Sequence, residues 1–190
     1  MRKALSGIRL LVPAMLGLAI AMAGASTASA FDATSAAGMW QKVEDGKPSL
    51  YVLVIDHNGT FEGVMAKLFP AAGETGTPSC TGCTDDRKDA PWLGISFIRD
   101  MKRNGFVYEG GNVLDPRDGK IYSAKMTLSP DGQSLTLRGY VGIALFGKDE
   151  VWTRLPDTAM ALVDPAIIAK YLPGQAVAAK GGKKAAAPAK

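Results

Sequence analysis

The chain has 190 residues, 47% of them hydrophobic, with 22 basic against 18 acidic side chains and a formal charge of +4. The basic excess sits at the two ends, because residues 31–173 hold 15 basic against 18 acidic side chains, a balance of −3. That balance excludes a nucleic-acid-binding fold, which needs a basic face on the domain itself.

Arg2, Lys3 and Arg9 lead into an apolar stretch over residues 10–23, and small residues follow, ending Ala28-Ser29-Ala30. A positive start, an apolar middle and a small-x-small site make a secretory signal peptide, with cleavage expected after Ala30. The apolar stretch contains Pro13 and falls short of the about 20 residues a spanning helix needs. No Cys follows it, so nothing invites lipid attachment at a new N-terminal Cys. The expectation is a periplasmic protein whose mature chain carries 19 basic against 18 acidic residues, or +1. About 160 mature residues suit one domain and bury about two thirds of their unfolded surface, so no staples are needed.

Asp45-Gly46, Asn58-Gly59, Asn104-Gly105, Asp118-Gly119 and Asp131-Gly132 recur along the chain. These pairs supply the positive φ angles that tight hairpins require. Strand-like runs rich in β-branched and aromatic residues cover residues 50–55, 60–69, 106–114, 120–128, 134–140 and 150–155. Short strands at this spacing predict an all-β meander closed as a sandwich or barrel. Tyr122, Ala124, Met126 and Leu128 fall on one face of their strand, and Ser123, Lys125 and Thr127 on the other. The run 50–55 is apolar throughout, so it is either central or covered on both faces. Gly139 is read as a bulge that re-aims Arg138 or Tyr140.

Residues 70–91 break the pattern and hold both cysteines, in Cys80-Thr81-Gly82-Cys83. A loop of this length inside a domain is functional, mobile or an untidy insertion. Zinc needs four ligands, and the chain offers two Cys and His57, with Asp85 and Asp86 as weak additions. Haem attachment wants His at position 84, which is Thr, and a thioredoxin-type pair wants a helix N-terminus. The remaining reading is a structural disulfide that shapes the loop in an oxidising compartment. No metal and no cofactor are expected. His57 precedes Asn58-Gly59 and reads as a turn residue, and Asp85, Asp86 and Asp89 read as a solvated acidic loop. There is no Gly-x-Ser-x-Gly elbow and no phosphate-binding glycine loop.

Asp164-Pro165 starts a short helix, with Asp164 as N-cap, Pro165 at the first helical position, and Val163 and Ile168 placed as a staple. Its apolar residues either pack on the barrel or dock to a partner. The tail is nearly all Ala, Lys, Gly and Pro, and such a composition stays disordered. The predicted organisation is a signal peptide over 1–30, a β domain over 31–157, a helical extension over 158–174 and a tail over 175–190.

Trp40 and Arg154, in Gly38-Met39-Trp40 and Trp152-Thr153-Arg154, resemble the pair that closes one end of lipocalin-like (calycin) barrels. There an Arg from the last strand covers the indole of the first. Gly110-Gly111, Asp115-Pro116-x-x-Gly119-Lys120-x-Tyr122, Arg138-Gly139-Tyr140-x-Gly142 and Trp152-Thr153-Arg154 follow in order. With Leu93-Gly94 and the Cys loop, this set is similar to the exported bacterial family known as domain of unknown function 2147, over residues 38–155. The resemblance implies a small up-and-down lipocalin-like β-barrel and adds little chemistry.

The first functional reading is a non-catalytic periplasmic module that binds a small amphipathic or apolar ligand in the barrel. Tyr122, Arg138 and Tyr140 are the candidate anchors, and Met126 a lining residue. The second is an envelope interaction protein with a filled barrel, acting through its loop, helix and basic tail, the tail in weak contact with anionic envelope components. An enzyme acting on envelope lipid or glycan is the third.

Overall fold

The fold follows from a simple repeat, in which each short strand turns back on its neighbour until the last meets the first. The computed structural model describes residue 32, residues 34–70, residue 73 and residues 76–174. The expected leader and the tail at 175–190 lie outside the described residues. Eight antiparallel strands, β1 (Gly38–Glu44), β2 (Lys47–His57), β3 (Thr60–Leu68), β4 (Ser96–Asn104), β5 (Val107–Asp115), β6 (Lys120–Leu128), β7 (Ser134–Tyr140) and β8 (Lys148–Arg154), form a closed barrel in sequence order. Four of the five Asn-Gly and Asp-Gly pairs lie between consecutive strands, and in the fifth Asn104 ends β4 and Gly105 turns the chain into β5. In two of them, Asp45-Gly46 and Asn58-Gly59, both residues have positive φ, the twist that a tight hairpin needs.

Strand β4 is absent from the runs read in the sequence. Its centre, Arg99, Asp100, Lys102 and Arg103, is charged, and its inward residues Phe97, Ile98 and Met101 show no alternation because the pairing with β3 shifts register along it. Gly139 is not a bulge, because β6 and β7 pair without a register shift from Ser123↔Tyr140 to Leu128↔Leu135. A Cβ at position 139 would sit 3.2 Å from Val113 Cγ1, so this glycine makes room for an inward neighbour instead. Regular alternation therefore continues, and Arg138 and Tyr140 face outward.

Two apolar clusters flank the sheet. The inner one fills the barrel with Trp40, Trp152, Tyr108, Phe61, Met101 and Met126, all nearly solvent-free. Phe61 meets Tyr108 edge to face, at 4.7 Å between centroids. The outer cluster holds Met39, Leu53, Ile55 and Val64 beneath Ala159, Val163 and Ile167. A 3-10 helix (Asp157–Leu162) and helix α1 (Pro165–Tyr171) supply that cover. Asp164 caps α1, accepting from Ala166 N–H at 2.7 Å, with Pro165 in the first turn. The apolar run of β2 is thus covered on both faces, Val52 and Val54 inside and Leu53 and Ile55 under the C-terminal helices.

One end of the barrel is sealed by the segment that precedes β1. The Arg154 guanidinium lies 4.3 Å from the Trp40 ring centroid. It donates to the carbonyls of Ser35, Ala37 and Gly132 at 2.5, 3.0 and 2.5 Å. Trp40 Nε1 donates to Ala36 O, and the Tyr108 hydroxyl accepts from Ala36 N–H, both at 2.8 Å. Among the described residues no carboxylate lies within ion-pair distance of Arg154. Burial pulls its pKa down, opposed by the charges of Asp157 and Asp32. Carbonyl dipoles and the indole face therefore hold this cation.

A lysine keeps the charge but cannot span three carbonyls. Arg154→Lys is expected to cost about 3 kcal/mol in urea unfolding, mostly from orphaned acceptors. Arg117→Lys, at an exposed turn, is expected to cost little. A loss below about 0.5 kcal/mol for Arg154→Lys would remove this seal from the main determinants of stability.

Candidate functional site

The opposite end of the barrel is built differently. On three strands the inward face changes from apolar to polar within one inward step. β1 passes from Trp40 to Lys42, β8 from Trp152 to Glu150, and β6 from Ala124 to Tyr122, all three polar residues being partly exposed. Lys42 Nζ reaches Glu150 Oε1 at 2.8 Å and Glu44 Oε1 at 3.0 Å. Burial lowers the Lys42 pKa, but the hydrogen bonds and charges of Glu150 and Glu44 outweigh it and the net shift is upward. At the β5–β6 turn, Arg117 grips Asp115 with both Nε and Nη2, which lowers the Asp115 pKa. Beside this polar rim, Leu68, Trp92 and Val113 stand half-buried on the upper edge of the core. Trp152 Nε1 is buried with no acceptor among the described residues, one layer below Glu150.

The disulfide loop covers the other half of this mouth. Cys80 and Cys83 are joined by a disulfide and lie within the barrel's own apolar cluster. A Cβ at Gly82 would sit 2.6 Å from Asp118 O, and one at Gly119 would strike Gly82 O. With φ of +75° at Gly119, both glycines are required for the loop to seat on the β5–β6 turn. Ser79 and Pro91 form a β-bridge that closes the loop's neck.

Two acid–base pairs lock this loop. Arg87 is buried, donating through Nε and Nη2 to Asp85 and through Nη1 to Ser96 O at 3.1 Å. Arg99 holds Asp86 with two bonds at 2.7 and 2.9 Å. The hydrogen bonds from Arg87 bring Asp85 down from 3.8 to about 2. The acidic loop is thus an ion-paired clamp, beyond the solvated surface expected from sequence. Among the described residues there is no cluster of three metal-ligating side chains. His57 closes β2 and pairs with Glu62 Oε2 at 2.8 Å, beside a cleft of about 190 Å³ on the outer surface. A groove of about 270 Å³ runs between this loop, β4 and α1, but its arginines are already committed to Asp85, Asp86 and Ser96.

The four residues nominated from sequence do not converge on one space. Tyr122 and Met126 share the inward face of β6, Tyr122 at the mouth and Met126 deep in the packed core. Arg138 and Tyr140 lie on the outer face of β7. Arg138 holds Asp149 at 2.6 and 2.7 Å and the Ala144 carbonyl at 3.0 Å. Lys42 and Glu150 were not singled out in the sequence. The signal available was charge at inward positions of β1 and β8, Lys42 and Glu150, and it is readable only once the inward face is anchored by Trp40 and Trp152.

An eight-stranded up-and-down barrel, sealed at one end by Trp40 and Arg154 and half-covered by a loop at the other, is a lipocalin-like barrel. The chain belongs to the family described as "Uncharacterized protein conserved in bacteria (DUF2147)", whose model matches residues 38–154. A solved structure described as protein HP1028 from the human pathogen Helicobacter pylori, belonging to the lipocalin family, superposes with a TM-score of 0.56. The two are 20% identical, over 67% of this chain and 88% of that one, a likeness of fold. No curated protein matches the chain.

Asp85→Asn is expected to destabilise the protein by about 1–3 kcal/mol at neutral pH, because buried Arg87 loses its charged partner. With the Asp85 pKa lowered to about 2, the stability it gives is full above about pH 4 and lost as pH falls toward about 2. Thermal melts between about pH 2 and pH 6 check this: the gap between wild type and variant should close toward the acid end. A gap constant over that range would show that Asp85 does not clamp the loop through its charge.

Proposed function

We propose that the protein binds a small amphipathic ligand at the mouth of its barrel, without catalysing a reaction on it. The observation that carries this reading is the change from apolar to polar on the inward faces of β1, β6 and β8. A ligand's polar head sits among Lys42, Glu150 and Tyr122, and its apolar part lies against Leu68, Trp92 and Val113. Among the described residues the Tyr122 hydroxyl has no hydrogen-bond partner. The unpaired Trp152 N–H offers a further donor to an acceptor reaching inward, and an unmade bond there costs about 1–3 kcal/mol. Ligand sites in general are mostly apolar with a few polar anchors. A periplasmic setting is part of the proposal, supported by the leader pattern in residues 1–30 and by a disulfide that oxidising compartments favour.

A second reading has its own support. The lower barrel is densely packed around Trp40, Tyr108, Phe61 and Trp152, so an interaction protein with a filled barrel fits that half of the molecule. The mouth decides between the two.

Anilinonaphthalene sulfonate, an anionic amphiphile whose emission rises on burial, is the probe. Saturable one-to-one binding to the wild-type protein is expected. Lys42→Met is expected to weaken it about tenfold, the worth of one charge-assisted hydrogen bond. Glu150→Gln is expected to tighten it, since it removes a repelling carboxylate and frees Lys42. Shifts in opposite directions are not a general consequence of loosening the fold. No saturable binding, or equal weakening by both substitutions, would sink the mouth as a ligand site and leave the filled-barrel reading.

A further inference from the structure

The connection between β7 and β8 carries apolar side chains that the barrel does not cover. Val141, Ile143, Leu145 and Phe146 fall within six residues, and Val141, Leu145 and Phe146 are 75, 76 and 78% exposed. Single exposed apolar residues are ordinary, whereas a group confined to one tip marks an interaction surface. The tip is also a built structure. Residues Ala144–Phe146 form a 3-10 turn. Phe146 N–H donates to Ile143 O and Gly147 N–H to Ala144 O, at 3.3 and 3.1 Å. Arg138 adds a bond to Ala144 O while its charge is met by Asp149.

We propose that this tip inserts its apolar side chains into the boundary between headgroups and acyl chains of an anionic lipid surface. Two observations favour lipid over a protein partner. The segment 138–148 contains Arg138 and Lys148 and no acidic residue. The flanking surface carries a positive excess: Asp149 neutralises Arg138, and Lys125, in register with Arg138 on the outer face, and Lys148, which opens β8, remain. Among the described residues neither lysine lies within ion-pair distance of a carboxylate. Apolar side chains at a protruding end with cations behind them are the arrangement that interfacial binding uses. The tip stands at the same end of the barrel as Lys42 and Glu150, so insertion holds the mouth against the lipid. The inference does not depend on a ligand being bound there.

Full-chain protein is sedimented with vesicles of phosphatidylcholine alone or mixed with phosphatidylglycerol. Binding to the mixed vesicles is expected, and L145D/F146D is expected to weaken it at least about tenfold, given the apolar area two such side chains bury. Both side chains are exposed, so the thermal melt of L145D/F146D should match wild type. Phe146→Trp is expected to shift its emission to the blue when mixed vesicles are added. High salt should reduce binding without abolishing it, because the apolar part is not screened. Three results would overturn the proposal. One is that the wild type does not sediment with mixed vesicles. Another is that wild type and L145D/F146D sediment equally, which assigns binding to another part of the chain. The last is a concentration-dependent dimer that L145D/F146D abolishes with no vesicle binding, which assigns the tip to self-association.

Discussion

A single cation, Arg154, binds the last strand of the barrel to the first. Its guanidinium spans carbonyls from the segment before β1 and from the β6–β7 turn, and covers the indole of Trp40. β1 pairs with β8 through Trp40↔Arg154 and Gln41↔Thr153, the shortest paired stretch in the ring. The seal therefore does what a longer ladder does elsewhere in the barrel. With that end closed by backbone and ring, the core above it packs as a solid stack of aromatic and methionine side chains. Polar function is displaced to the other end.

The two ends differ in how they treat charge. At the sealed end a partly buried cation is met by dipoles. At the mouth, charges are met by opposite charges at partial exposure, as in Lys42 with Glu150 and Asp115 with Arg117. Pairs of the second kind exchange partners at modest cost, because water and side-chain freedom remain available. The disulfide loop belongs to the first kind despite its position. Buried Arg87, the Gly82–Gly119 contact and the Ser79–Pro91 bridge hold it as part of the core, and the cysteines pack inward as apolar residues.

Much of the barrel was legible in the sequence because its rules are local. Turn pairs such as Asn58-Gly59 mark hairpins within a few residues, and alternation from Tyr122 to Leu128 assigns one face. The resemblance centred on Trp40 and Arg154 supplied the closure. β4 was hidden because its outward charges outnumber its inward apolar residues. Lys42 and Glu150 lie 108 residues apart, and only ring closure brings them together. Arg138 was nominated as an anchor for its charge, and regular pairing through Gly139 turns it outward to Asp149. The apolar residues of the β7–β8 tip resemble core in the sequence, and only the end of β7 at Tyr140 shows that they lie past the sheet.

Consecutive strand order has a consequence for how such a chain acquires its shape. Every strand pair but one joins neighbours in sequence, six of them across short turns and β3 with β4 across the disulfide loop. The exception, β1 with β8, closes a loop of more than a hundred residues, so its entropic cost falls late in folding. Until β8 is available, β1 has one unpaired edge and Trp40 lacks its cover. A chain delivered N-terminus first thus carries an open, curling sheet with a bare indole at its leading edge. Arg154, three residues before the C-terminal helices begin, is the latch that ends that exposure.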